Sequence, residues 1–284
     1  MKAESKIDYT PLDRPEVLMF LFHPRPEPAG LQFRTADRTG QESKTTDVMI
    51  PVAGEVAIGA RFHMTARAGA NILFFHGNGE IVADYDELGG VYNDMGINFL
   101  AVDYRGYGRS SGKPTVTAMM GDCHIIFDFV RHWLQENNFT GPLILMGRSL
   151  GSASVLELAA ANKNDVDGLI VESGFAYAGP LLKLLGINPE TLGYREERGF
   201  GNIDKIKQFD KTTLIIHAEF DHIIPFSDGR ALYDACPAGD KALLMIPGAN
   251  HNDIFMRGLQ EYLAAVKELV EKAQGRAHGA ERFM

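Results

Sequence analysis

Six short apolar runs punctuate the chain: Ile72–Phe75 (ILFF), Ile97–Val102 (INFLAV), Leu143–Met146 (LILM), Leu169–Val171 (LIV), Leu214–Ile216 (LII) and Ala242–Ile246 (ALLMI). A strand with one wet face alternates apolar and polar residues; runs without that alternation predict strands covered on both sides, as in a parallel sheet. Longer amphipathic segments lie between them. From Thr115 to Leu134, Val116, Met119, Met120, Cys123, Ile126, Phe127, Val130, Trp133 and Leu134 recur at steps of three and four, while Asp122, Asp128 and Arg131 fall elsewhere, which predicts a helix with one buried face. Strand and helix in alternation predict an α/β fold, a mostly parallel, doubly wound sheet with right-handed crossovers and helices on both faces.

Two regions break this rhythm. Residues 1–45 are rich in Pro and charge, with HPRPEP at His23–Pro28, and read as an N-terminal extension packing on the core. Val48–Met64 then alternates around Ala53-Gly54, which predicts an antiparallel pair at one sheet edge. Residues 174–210 carry a Leu-rich stretch and the charged, Gly-rich GYREERGFGN; too short for a domain, they read as a small cap inserted in a single catalytic-size unit, residues 46–275. The end, QGRAHGAERFM, lacks an apolar period, and residues 276–284 are expected to form a flexible tail.

Composition narrows the partners. With 45% hydrophobic residues among 284 the chain has ample material for a core, and 28 Lys+Arg against 37 Asp+Glu give a net charge of -9, which repels nucleic acid and anionic bilayers. No apolar stretch of about 18 residues suggests an integral membrane segment, and MKAESKIDYT does not resemble an export signal, so the expected location is cytoplasmic. Cys123 and Cys236 share no metal-ligand spacing and read as free thiols. The oligomeric state is left open.

The chemistry centres on Gly147-Arg148-Ser149-Leu150-Gly151, which joins a predicted strand to SASVLELAAA, a strong helix former. G-x-S-x-G alone is expected by chance on the order of 0.1 times in such a chain. Between strand and helix, however, it is the turn that lifts a serine hydroxyl above a sheet. A serine needs a base within reach and a third group to orient that base. His251, in IPGANHNDIF, follows a late strand, and Asp221 opens the loop EFDHIIP after another, in the chain order Ser, Asp, His. Glu172, in VESGF, and Asp228 are the alternative acids. The oxyanion donors are expected to be the N–H groups of Leu150, at the head of its helix, and Asn78, in HGNG after the first buried strand. A metal reading of His217, Asp221 and His222 lacks a fourth ligand and leaves Ser149 idle. His76 and His217, at strand ends, read as structural, and Asp103–Arg109 as a turn pinned by Gly106 and Gly108 in preference to a buttress of the site. Phe175 and Ile224, with Tyr177, Ile223 and Leu181, Leu182, Leu184 and Leu185, are candidates for an acyl-binding wall, with plain core packing an equal alternative for each.

HGNGE, DYRGYGRSSG, GRSLGSAS, EFDHIIP and GANHND together resemble the α/β-hydrolase superfamily, and most closely its cap-poor serine hydrolases, a branch that includes intracellular protein depalmitoylases. The resemblance covers roughly residues 45–270. It implies an eight-stranded sheet with Ser149 as nucleophile, Asp221 as acid and His251 as base. A Ser in place of the Asp of dehalogenases and epoxide hydrolases excludes those two chemistries, and the cysteine cluster that anchors animal depalmitoylases has no counterpart. The expected activity is hydrolysis of a small-molecule acyl ester or thioester through an acyl-enzyme, with no metal or organic cofactor. Two alternatives stand beside it. One is a peptidase or acyltransferase on the same triad, for which Glu172 or Glu219 would hold a charged terminus; the other is a non-catalytic ligand-binding member of the fold.

Overall fold

Each apolar run becomes the heart of a strand. The structure, a computed structural model, describes residues 7–28, 44–196 and 199–281. Within them β1 (Lys44–Ala53), β2 (Val56–Met64), β3 (Asn71–Phe75), β4 (Asn98–Val102), β5 (Leu143–Arg148), β6 (Gly168–Glu172), β7 (Thr212–Ala218) and β8 (Lys241–Ile246) form one sheet in the order β1-β2-β4-β3-β5-β6-β7-β8. β2 runs antiparallel to both its neighbours, and β3 to β8 are mutually parallel. The eight strands and the edge hairpin are those expected.

The uninterrupted runs follow from two cores. Leu73 and Phe75 of β3 enter one core with α1 (Pro15–Leu21), α3 (Val116–Glu136) and α4 (Gly151–Ala161). Ile72 and Phe74 enter the other, against α2 (Asp86–Asp94) and α8 (Ile254–Glu281). Both faces of the central strands are dry, so both alternating sets are apolar. Strand order reverses between β3 and β5, with β4 on one side and β6 to β8 on the other, and a crevice at such a switch point is where open α/β sheets place ligands.

Four readings change. The run Ala242–Ile246 forms the sheet edge, with Met245 39% exposed, so an apolar run here marks a strand with only one dry face. Asp122, assigned to the wet face of its helix, is buried because Arg105 grips both its oxygens at 2.6 and 2.7 Å. The presumed insertion is only partly a cap. It contains α5 (Ala178–Leu184), but α6 (Asn202–Ile206) packs on α4, and Ile206 and Phe209 are wholly buried in the main core. Finally, the backbone stays helical through Glu281, covering most of the stretch expected as a tail; adding a turn to an existing helix avoids the cost of nucleation and needs no apolar face. Residues 282–284, like residues 1–6 and 29–43 of the N-terminal extension, lie outside the described residues. α7 (Phe226–Ala235) connects β7 to β8.

The described part of the extension is tied to α4 and α6 by polar as well as apolar groups. Lys205 Nζ meets Glu157 Oε2 at 2.6 Å and the Tyr9 hydroxyl at 3.1 Å, all largely buried. Burial raises the Glu157 carboxyl, but the hydrogen bond from His124 and the charge of Lys205 outweigh it and bring the carboxyl down to about 2. Burial also lowers Lys205, a cost that is constant in acid because the ammonium is protonated in both folded and unfolded chains there. Ionised Glu157 therefore stabilises the fold above the ordinary carboxyl value of 4.5, and that contribution disappears as pH falls toward about 2. Glu157→Gln should lower stability at neutral pH and flatten the stability curve across this window, measured by urea unfolding at graded pH; an unchanged slope would count against the assignment.

Candidate active site

The strand-to-helix turn after β5 concentrates the local strain on the serine itself. Ser149 has φ +51, a left-handed conformation that costs a non-glycine residue roughly 1–3 kcal/mol. It is held there by its N–H on the Glu172 carbonyl (2.9 Å) and by its own carbonyl, which accepts from the Ser152 N–H (3.0 Å) and hydroxyl (2.6 Å). The flanking glycines solve a different problem, close approach. A Cβ on Gly147 would run into the Gly151 carbonyl, and one on Gly151 into the Phe75 carbonyl of β3. α4 can therefore start directly above the central strand.

Three strand-end loops converge on this turn. His251 Nε2 lies 3.1 Å from Ser149 Oγ, and His251 Nδ1 lies 2.7 Å from Asp221 Oδ2. The other Asp221 oxygen accepts from the amides of Ile223 (3.0 Å) and Ile224 (2.8 Å), so the carboxylate is fixed before the imidazole arrives. Burial alone would raise the Asp221 carboxyl; the hydrogen bond and charge of His251, aided by the two amides, hold it below the usual range. A carboxylate oxygen can only accept at this pH, so Nδ1 carries the proton and Nε2 presents its lone pair to the hydroxyl. Such an arrangement can withdraw a proton from a serine as it attacks.

The alternative acids do not face the imidazole. Glu172 contacts Arg148 Nε (3.0 Å) and the Tyr262 hydroxyl (2.7 Å), and burial pushes its carboxyl up. Asp228 accepts the amides of Ala176 (2.7 Å) and Tyr177 (3.3 Å). His217 donates Nε2–H to the Ile224 carbonyl at 2.8 Å, beneath the Asp221 loop, and His222 is exposed. Among the described residues no group of three or more His, Cys, Asp and Glu is arranged to hold a metal ion.

The loop after β3 lies on the opposite side of the turn. His76 is completely buried, and its Nδ1–H donates to the Gly77 carbonyl at 2.8 Å, while Nε2 meets Asp103 Oδ1 at 3.1 Å. In a trans peptide the carbonyl and the following N–H point in opposite directions. Drawing the Gly77 carbonyl down onto the imidazole thus turns the Asn78 N–H the other way. Among the described residues neither the Asn78 nor the Leu150 N–H has an acceptor, so both are free to meet a ligand.

Arg148, between the glycine and the serine, joins these loops. Its guanidinium reaches Glu172 Oε1 on β6 (3.0 Å), the His251 carbonyl (2.8 Å) and Glu80 Oε1. Glu80 in turn accepts the Gly77 N–H at 2.6 Å and the Tyr85 hydroxyl at 2.5 Å. The sequence pattern does not single out Arg148; the available signal is a lone cation inside an otherwise apolar strand end, which requires anions nearby, and Glu172 ends β6 while Glu80 lies in the loop after β3. The two wall candidates, Phe175 and Ile224, are 1% and 2% exposed and sit in the main core, Phe175 edge-on to Phe200 at 5.3 Å. The exposed apolar side chains on the same loops are instead Tyr177 and Phe220.

The family model described as "Serine aminopeptidase, S33" matches residues 66–189. Alpha/beta hydrolase domain-containing protein 17C of Xenopus tropicalis is 32% identical over 206 residues, 70% of this chain and 61% of that protein. Protein 17B of Homo sapiens is 32% identical over 208 residues, 71% and 66% of the respective chains. The chain thus spans less than two thirds of the length of these curated relatives. Among solved structures, a soluble variant of monoglyceride lipase from Saccharomyces cerevisiae superposes with a TM-score of 0.65 over 82% of this chain and 96% of that one, at 20% identity, a likeness of fold.

Removing the Arg148 cation would leave Glu172 a buried anion beside the half-buried Glu80 carboxylate. Arg148→Met is expected to cost about 3–5 kcal/mol, the range for breaking a buried ion pair from one side. Urea unfolding reads this directly, and a loss below about 0.5 kcal/mol, the size of an ordinary surface change, would contradict it.

Proposed function

The chain belongs to the α/β-hydrolase superfamily, and on that footing we propose that it is a serine hydrolase that cleaves carboxylic ester or thioester bonds through an acyl-enzyme intermediate. The observation that carries the reading is the continuous hydrogen-bonded series from Ser149 Oγ through His251 to Asp221, at 3.1 and 2.7 Å. Its serine sits in a conformation that is costly unless something requires it.

In this mechanism Ser149 Oγ attacks the acyl carbon while His251 Nε2 takes its proton. Asp221 keeps the imidazole in the required tautomer and stabilises the imidazolium. The negative charge that develops on the carbonyl oxygen is met by the N–H groups of Asn78 and Leu150. His251 then returns the proton to the departing alcohol or thiol, and a water deprotonated by the same imidazole releases the acid. Because the Asp221 carboxyl is held below its ordinary range, it stays ionised and keeps the imidazole oriented through weakly acidic pH.

The description of the matching family raises a second reading, cleavage of a peptide from its amino end. A free terminus would need an unengaged carboxylate near Ser149. Of the two considered, Glu172 is bound to Arg148 and Tyr262, and Glu219 accepts the Gly248 N–H at 2.8 Å. These engagements favour ester over peptide.

Ser149→Ala should abolish both turnover of a short-chain p-nitrophenyl ester and labelling by a fluorophosphonate. Asp221→Asn should lower kcat by about 10⁴ through the wrong tautomer, as in other triads. A panel of esters, thioesters and aminoacyl amides separates the readings: amide turnover above ester turnover would replace the proposal with the peptidase.

A further inference from the structure

HPRPEP, the motif in the extension that the mechanism leaves unused, runs across the outer side of the loop Gly77–Glu80. We propose that His23–Glu27 is a strap whose His23 acts as a positioning residue for the oxyanion amide of Asn78, an inference that rests on the serine-hydrolase reading.

The strap grips the side chain of Asn78. Asn78 Oδ1 accepts from the His23 N–H (2.7 Å) and from the Tyr107 hydroxyl (2.7 Å), and the same His23 N–H reaches the Tyr107 oxygen at 2.8 Å. A backbone N–H only donates, so the carboxamide must present its oxygen on that side. Its Nδ2 is thereby turned to His23 Nδ1, 2.8 Å away. An amide NH2 only donates as well, so Nδ1 receives the hydrogen bond and the imidazole carries its proton on Nε2. Two residues on, Arg25 Nε–H donates to the Gly79 carbonyl at 2.7 Å, and its guanidinium pairs with Asp84. Asn78 is thus held from outside through its side chain, and Gly79 through its carbonyl.

Both ends of the strap are fixed elsewhere. Upstream, Val17, Leu21 and Phe22 are buried in the core. Downstream, the Arg25 carbonyl accepts the Gly108 N–H (2.9 Å), and the Glu27 N–H donates to the Gly108 carbonyl (3.2 Å). The Glu27 carboxylate meets Arg61 at 2.8 Å and Arg109 at 3.1 Å. A segment anchored at both ends can transmit a fixed position to the loop beneath it. His76 sets the Gly77 carbonyl from inside, and the strap completes the hold from outside. The carboxamide does no chemistry in this scheme; the backbone N–H of the same residue does.

The test compares His23→Ala, His23→Gln, Asn78→Ala and the double alanine variant. Misplacing an oxyanion donor without deleting it should lower kcat about tenfold to a hundredfold, with KM held within about twofold. His23→Ala and Asn78→Ala should each show this loss at an unchanged thermal midpoint. The double variant should be no worse than Asn78→Ala, since the bond lost in His23→Ala, Asn78 Nδ2 to His23 Nδ1, is already lost there. Glutamine at 23 offers an amide oxygen to Asn78 Nδ2 and should restore most of kcat. Full activity in His23→Ala, additive losses, or no rescue by glutamine would each overturn the strap. Amide hydrogen exchange over residues 76–80 gives a readout independent of turnover and should quicken about tenfold in His23→Ala. If the unmodified protein cleaves neither esters nor thioesters, the hydrolase reading fails; unchanged exchange would separately remove the strap.

Discussion

One buried cation holds the site together. The guanidinium of Arg148 lies between two carboxylates and a carbonyl that belong to two loops and the end of β6, and each of these is chained to a group proposed to act in the reaction. Through Glu80 it governs the Gly77 amide and the loop of Asn78; through the His251 carbonyl it governs the imidazole loop; through the backbone it adjoins Ser149. A planar fork with five donors can serve three acceptors at once, which an ammonium on a flexible stem cannot do with the same directionality. The two anions around one cation leave an excess negative charge, and the remaining lone pairs are met by Tyr85, Tyr262 and the Gly77 N–H. The cluster is consequently fully bonded despite its burial, the condition under which buried charge is tolerated.

The sheet supplies the other half of the organisation. Parallel strands end together, so loops far apart in sequence arrive at one rim, and the reversal of strand order between β3 and β5 opens that rim between the loop that carries Asn78 and the turn that carries Ser149. Strain at Ser149 and close packing at Gly147 and Gly151 are distinct demands. The first re-aims a side chain; the second sets how near a helix N-terminus can come to the central strand.

Much of this was legible from residue order because burial on both faces leaves a plain mark, an apolar run of strand length, and because a serine framed by glycines between strand and helix has few other uses. What stayed hidden depended on partners distant in sequence. Asp122 looks like a wet helix position until Arg105 is found against it. Arg148 reads as a filler between Gly147 and Ser149 until Glu80 and Glu172 surround it. Ala242–Ile246 has the composition of an inner strand, yet nothing pairs beyond β8 among the described residues, and composition does not report a missing neighbour. Phe175 and Ile224 stand out in the sequence only as apolar residues near the site, a property shared by walls and by core, and both are buried. The segment His23–Glu27 carries no periodic signal, because its bonds run to loops rather than along itself.

The latch between His76 and the Gly77 carbonyl has a further meaning. In the proposed mechanism a single peptide unit decides whether a donor or an acceptor meets the developing oxyanion, since half a turn about its axis would swap a hydrogen for an oxygen at the same spot. With the carbonyl secured to a ring that has no solvent exposure, that reversal is blocked from below. The polarity of the proposed oxyanion site is in this sense stored one layer beneath it, in a ring that the substrate would not touch.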